Sequence, residues 1–317
     1  MTSAHLQDDG YTRSTNLRVS FSALWSTDEA LMAGNNQVDR QLVAANLWGN
    51  FRRIFVYREF LLNLVRTELH LRYKNSALGF LWSLLNPLLY LVVFSVVFQE
   101  FLRAQIPQFA IFLLSGLLVW NFISAGLGSG TGSIISNVSI VQKVWFPREV
   151  LPLASVGAAL VHFFLQMVVL ALALLFFQHE PNWGALALLP FALLTVVLFV
   201  TAGALSLSVL NVYYRDVQHL LEVTLLAWFW LTPVVYNHSL VASRLGEYDW
   251  IAFLNPATSI VILFQRALHT TPPGYIPDVS LWYYFRNVSI IFIASLALLT
   301  LSFRLFRRLD SQLAERI

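Results

Sequence analysis

The chain has 317 residues, of which 57% are hydrophobic and 12% charged, against roughly 45–50% and about 25% in soluble domains. With a mean hydropathy of +0.65, that composition excludes an ordinary soluble enzyme and indicates an integral membrane protein. A formal charge of +3 is too small for a nucleic-acid binder, and the absence of cysteine excludes disulfide frameworks and thiolate metal sites.

Residues 1–50 read as a polar cytoplasmic extension, without the sustained apolar stretch of a signal peptide. Over 51–74 the pattern becomes helical. At about 100° per residue, Phe51, Ile54, Phe55, Leu62, Val65 and Leu69 share one arc, and Arg52, Glu59, Asn63, Arg66 and His70 lie opposite. Phe60 and Leu64 fall off the apolar arc. An amphipathic helix lying in the inner membrane interface is expected, with Arg58 snorkelling to water.

A helix needs about 20 apolar residues to cross a bilayer core. Charge-free runs long enough for one helix each cover 75–99, 104–142, 150–179, 181–214, 223–243 and 287–303. A seventh, 250–265, has 16 residues and is broken by Asn255-Pro256. Basic residues near span ends stay cytoplasmic. Six spans place all Lys and Arg inside except Arg103, Arg244, Arg266 and Arg286, whereas a seventh carries the basic tail 304–317 across. The expected fold is therefore an all-α integral membrane domain of six transmembrane helices over 75–303, with both termini cytoplasmic. Residues 250–265 become a short apolar element on the outer side between spans five and six, a re-entrant or interfacial hairpin rather than a surface loop with an apolar patch, because irregular backbone at membrane depth must be buried in protein or line a cavity.

The chemistry the chain lacks narrows its function. A membrane transferase needs a carboxylate or His held as base or metal ligand. The outer acids are Glu100, Glu180, Glu247, Asp249 and Asp278, and solvated loop charges account for them. His162, the one His deep within a span, reads as a neutral group bonded across helices. No span carries the scattered charges of an ion-coupled carrier. A phosphate cradle GxxxxGK[ST] requires Lys after Gly, yet Lys74 follows Tyr73 and Lys143 follows Gln142. The small residues of Gly126–Gly132 suit close helix packing. Power for any transport must come from another chain.

Three segments carry more specific information. The first, RYKNSALGFLWSLLNP over 72–87, is a basic step leading into the first span. The second, SNVSIVQKVWFPREVLP over 136–152, offers a short helix capped by Ser136, with an apolar stripe of Ile140, Val141, Val144 and Trp145 that Pro147 ends. The third, NVYYRD over 211–216, closes the fourth span at the same face. With Asn255-Pro256 and Arg266 downstream, these motifs resemble the permease subunits of ABC transporters that export lipid-linked polysaccharides such as O-antigen and teichoic acid.

That resemblance implies two copies of this chain forming a pore in the bacterial cytoplasmic membrane, above two ATPase subunits that bind ATP and Mg, with no cofactor or metal on this chain. It makes 137–149 a coupling helix (Ile140, Val141, Lys143, Val144, Trp145, Phe146, Pro147, Arg148, Glu149), with Tyr214, Arg215 and Asp216 as a second ATPase contact. It makes 250–268 an outer gate with Asn255, Pro256, Phe264 and Arg266. An aromatic stripe facing water is costly unless a partner covers it, so Val144, Trp145 and Phe146 are expected to dock. Arg66, Arg72 and Lys74 are candidates for the substrate's diphosphate, or simple topology anchors. Trp82, Trp120, Phe122, Trp228 and Trp230 are candidates for a sugar-stacking pore, or ordinary interface and core aromatics. The rival functions are an ABC permease for small lipophiles and a membrane glycosyltransferase or acyltransferase; an essential acid among Glu100, Glu247 and Asp249 would mark the latter.

Overall fold

The computed structural model describes residues 52, 54–74, 81–101, 103, 108–144, 146–269, 277 and 279–316, all but Arg52 within the second of two compact units, Ile54–Ile317. The polar extension 1–50, Trp145 and the side chains of Arg72 and Trp82 lie outside the described residues.

Every element among the described residues is helical. The order is α1 (Arg58–Tyr73), α2 (Leu81–Ser95) with a π-helical continuation Val96–Phe101, α3 (Phe109–Ser136), α4 (Val138–Val141), α5 (Val150–Phe176), α6 (Trp183–Leu186), α7 (Leu189–Tyr213), α8 (Asp216–Leu231), α9 (His238–Leu245), a 3-10 segment Gly246–Leu254, α10 (Pro256–Leu268) and α11 (Leu281–Arg316). Four of them, α3, α5, α7 and α11 as far as Asp310, are long and apolar enough to cross a bilayer. The arm made by α9 and the 3-10 segment meets α10 at 102°, and the bent pair has the length and hydropathy of one further, broken span.

Several boundaries differ from those set by charge spacing. The run 223–243 is not one helix: α8 begins at Asp216 and ends before Thr232, whose extended backbone (φ −106°, ψ 131°) precedes Pro233. A residue before proline is pushed out of the α region. Ser136 is the last residue of α3, not the cap of α4, and its hydroxyl donates back to the Gly132 carbonyl. The basic tail continues α11 without a break. The α10 arm of the expected outer hairpin lies in the core, with only Pro256 and Arg266 of its residues not buried.

α3 runs through the centre, between α5 and α7, with α10 also against it and α11 along α7. Glycine makes the α3–α7 approach possible. Gly126 and Gly130 are about 40° apart on a helix of about 3.6 residues per turn, so they share a face. A Cβ at Gly126 would stand 2.5 Å from Val200 Cγ1, and one at Gly130 2.6 Å from Ala204 Cβ. Gly203 on α7 answers them, leaving room for Leu127. Gly128 and Gly132 point the other way, and a Cβ at Gly128 would meet nothing within 4 Å.

α7 and α11 are joined by hydroxyls: Ser302 Oγ donates to the Ala202 carbonyl at 2.8 Å, and Ser206 Oγ donates to Ser302 Oγ at 2.7 Å. Phe191 packs on Phe285 and Phe292. The chain thus gathers the ends of α3, α7 and α11 and the starts of α5 and α8 at one end of the bundle, called here the lower end. α6, α9 and α10 lie toward the upper end, where Asn182 N–H donates to the Ala267 carbonyl at 2.9 Å.

α1 packs along α5 with a face rotated from the expected arc. Phe60, Leu61, Leu64, Val65, Glu68 and Leu69 are half-buried, whereas Phe55 and Leu62 are exposed. Phe60 and Leu64, off the apolar arc, therefore belong to the packed face.

Replacing Gly130 by Val forces α3 from α7, and overpacking of this kind costs about 1–3 kcal/mol. Gly128→Ala adds a methyl into open space and gains helix propensity. Thermal unfolding in detergent should show a large loss for the first and none for the second. Equal losses at both would show that the glycine face does not set the packing.

Candidate functional site

The lower end holds a cavity of about 750 Å³, within the ~300–1,000 Å³ range of small-molecule sites. Its floor is the second glycine face of α3, Gly128, Ser129 and Gly132. α5 contributes Ser155 and His162, α1 contributes Glu68, and α7 with α8 contribute Asn211, Arg215, Gln218, His219 and Glu222.

The walls are tied together by polar bonds. Ser155 Oγ donates to Glu68 Oε1 at 2.7 Å, fixing α1 on α5. Asn211 Nδ2 donates to the Thr131 carbonyl at 3.1 Å and reaches Gln218 Oε1 at 3.5 Å, joining α3, α7 and α8. Gly132 leaves room for the Gln218 amide at this corner, where a Cβ would stand 3.0 Å from Gln218 Oε1 and displace it by a few tenths of an ångström. His219 and Glu222 are paired at 3.7 Å on the exposed side of α8. Charged groups on a helix of this kind need water, protein or a polar ligand rather than lipid, and the cavity supplies that surface.

Sequence reasoning missed most of this lining. Arg66 and Lys74 are exposed and stand outside the cavity wall; the α1 residues that line it are Glu68, Leu69 and Leu71. The available signal was the i,i+4 pair Gln218 and Glu222, which becomes visible only once α8 is extended back to Asp216.

Beside the cavity, the 137–149 segment turns under the bundle. α4 has one turn, with Val141 buried and Ile140 half-buried. Gln142, Lys143 and Val144 are exposed, Val144 at 53%. Phe146 corrects the expected aromatic stripe: it is buried, and its ring lies 5.0 Å from that of Phe60 in α1. Covered by its own chain, it offers no ring to a partner. Pro147 and Glu149 are also buried, and Arg148 reaches Asp310 of α11 at 3.1 Å. Tyr214, Arg215 and Asp216 are exposed at the same end.

Of the expected pore and gate residues, Trp120, Phe122, Trp228, Asn255 and Phe264 pack within the bundle near the upper end. Trp120 is buried and packs edge-on against Trp228 (5.9 Å) and tilted against Phe229 (5.5 Å). Phe122 is 2% exposed and Phe264 fully buried, both against Phe163. Neither Phe ring has a free face for a sugar, because neighbouring helices occupy both. Trp230 remains exposed.

Asn255 joins the two groups. Its Oδ1 accepts from Ala257 N–H at 3.0 Å, capping α10, and from Trp228 Nε1–H at 2.7 Å. Its Nδ2 donates to Thr232 Oγ1 at 2.9 Å. From the same helix, Gln265 Nε2 donates to the Pro233 and Val234 carbonyls at 3.1 and 3.3 Å. Gly116 permits this, since its Cβ would stand 2.9 Å from Gln265 Nε2. Two amides thus bolt α10 to the turn after α8.

Comparison with known proteins places this architecture. The family described as ABC-2 type transporter matches residues 59–268. An O-antigen export system permease protein RfbA of Myxococcus xanthus is 34% identical over 69% of this chain and 83% of its own length. A protein of the same name from Klebsiella pneumoniae is 26% identical over 81% of this chain and 94% of its own. The polysialic acid transport protein KpsM of Escherichia coli is 24% identical over 74% and 86%.

Asn255→Ala should cost about 2–3 kcal/mol, roughly 1 for the helix cap and roughly 1 for each bond lost to the Trp228 indole and the Thr232 hydroxyl. Trp228→Phe removes the indole bond and part of the ring packing on Trp120. In thermal unfolding the double variant should lose less than the sum of the singles; strict additivity would mean that the two side chains do not act together.

Proposed function

The chain belongs to the ABC-2 type transporter family, and we propose that two copies of it, driven by two separate ATPase subunits, move a polyprenyl-diphosphate-linked polysaccharide outward across the bacterial cytoplasmic membrane. In this reading the chain spans the membrane six times. α2 and α8, the latter running into the turn toward α9, join the four long helices, and both termini are cytoplasmic. The lower end is the cytoplasmic one.

One observation carries the reading: the exposed 142–144 turn, the exposed 214–216 turn and the polar cavity share the lower end. Motion received at one surface acts on a substrate pathway through packed and hydrogen-bonded elements, and at the lower end the same elements form both. The chain itself performs no covalent step, and ATP and Mg are held by the partner. The docking surface is Gln142, Lys143 and Val144 with Tyr214, Arg215 and Asp216, while Phe146 supports it from behind. The cavity, rich in amides and hydroxyls and carrying Arg215, suits the polar part of a lipid-linked glycan. Arg66 and Lys74 anchor α1 at the surface.

Changing Lys143 to Glu together with Val144→Asp should abolish coelution of the ATPase and stop glycan export, at an unchanged level of the chain in the membrane. Normal coelution and export by that double variant would show that the 142–144 turn is not the docking surface.

A further inference from the structure

The last helix is longer than a crossing requires. α11 has 36 residues, about 54 Å at 1.5 Å per residue, whereas a bilayer core takes about 30 Å. Its surplus turns reach the lower end, where two other elements grip them. Arg148 Nη1 donates to the Asp310 carbonyl at 2.9 Å and to its carboxylate Oδ1 at 3.1 Å. Tyr213 Oη donates to the Leu309 carbonyl at 2.9 Å. A helical carbonyl has a second lone pair to offer, so α11 accepts both bonds without interruption.

The charge pattern explains why an acid stands at this position. Arg304, Arg307 and Arg308 precede Asp310 along α11. The Asp310 carboxylate thus supplies a counter-charge for Arg148 within a basic stretch of α11. On its other side the same segment is held by α1, through Phe146 on Phe60. α11 in turn lies along α7, joined by Ser302 to Ala202 and Ser206.

We infer that the Arg148–Asp310 pair is the strut that carries displacement of the 137–149 segment into the α7–α11 pair, making Asp310 a positioning residue for transport. The inference rests on the docking surface proposed above. The segment runs by its own backbone into α4 and α5, so a push on exposed Lys143 and Val144 reaches those helices directly. Reaching elements distant in the chain takes side-chain contacts, Phe60–Phe146 to α1 and Arg148–Asp310 to α11. Because Tyr213 holds the adjacent Leu309, the tail of α11 also connects the 137–149 segment to the 214–216 turn, so the two proposed docking turns shift together.

The test uses the full chain copurified with its ATPase in proteoliposomes loaded with the polyprenyl-linked glycan, and reads glycan moved per ATP hydrolysed. Asp310→Asn and Arg148→Gln should each retain the ATPase on coelution and lower that ratio at least fivefold. The exchanged pair, Arg148→Asp with Asp310→Arg, should recover at least half of it. Variants that transport at the unaltered ratio, or an exchanged pair no better than the singles, would overturn the strut. Absence of ATP-dependent glycan movement in the unaltered complex would instead remove the transport reading and the strut with it.

Discussion

The close approach of α3 to α7 is the constraint on which the remaining architecture depends. In lipid there is no water to expel between helices, so association rests on packing and on hydrogen bonds. Gly126, Gly130 and Gly203 remove the Cβ atoms that would keep the two helices apart. The consequences extend beyond that contact. With one glycine face of α3 pressed on α7, the opposite face, Gly128 and Gly132, is turned into the cavity. The same helix therefore provides both the keel of the bundle and the floor of its polar chamber.

Much of this was legible in the sequence, and the failures have a common physical origin. Charge-free runs located α3, α5, α7 and α11, because excluding charge is what a bilayer demands. They misplaced α8, because a charged residue ends a lipid-facing run without ending a helix. Asp216, His219 and Glu222 belong to α8, and the latter two line the cavity. The arc of apolar residues in α1 includes half-buried Val65 and Leu69 but omits half-buried Phe60 and Leu64 and takes in exposed Phe55 and Leu62. Lipid and protein accept the same apolar side chains, and Glu68 can face protein because Ser155 satisfies it.

The aromatics show the same ambiguity. A ring at mid-helix satisfies the demands of a pore wall and of a packed core equally, and only neighbours distinguish them. Phe122, Phe146 and Phe264 proved to be covered by their own chain. What the motifs did convey was position: the 137–149 and 211–216 segments meet at one end, and Asn255 stands where a single amide can cap one helix and hold another. Spacing alone gave no sign that Trp228 would be its partner.

The amide bonds of α10 and the Arg148–Asp310 pair differ in character. Near the upper end, Asn255 and Gln265 bond within a largely buried turn, where an orphaned donor or acceptor costs about 1–3 kcal/mol. At the lower end, the side chains of Arg148 and Asp310 are 19% and 42% exposed, and a pair so accessible to water contributes about 1 kcal/mol or less. α8 spans the difference. Its only buried residue is Leu225, its C-terminal turn is fixed by Asn255, and its N-terminal turn borders the open cavity. The exposed Arg148–Asp310 pair can therefore be exchanged at smaller cost than the bonds from Gln265 to the Pro233 and Val234 carbonyls.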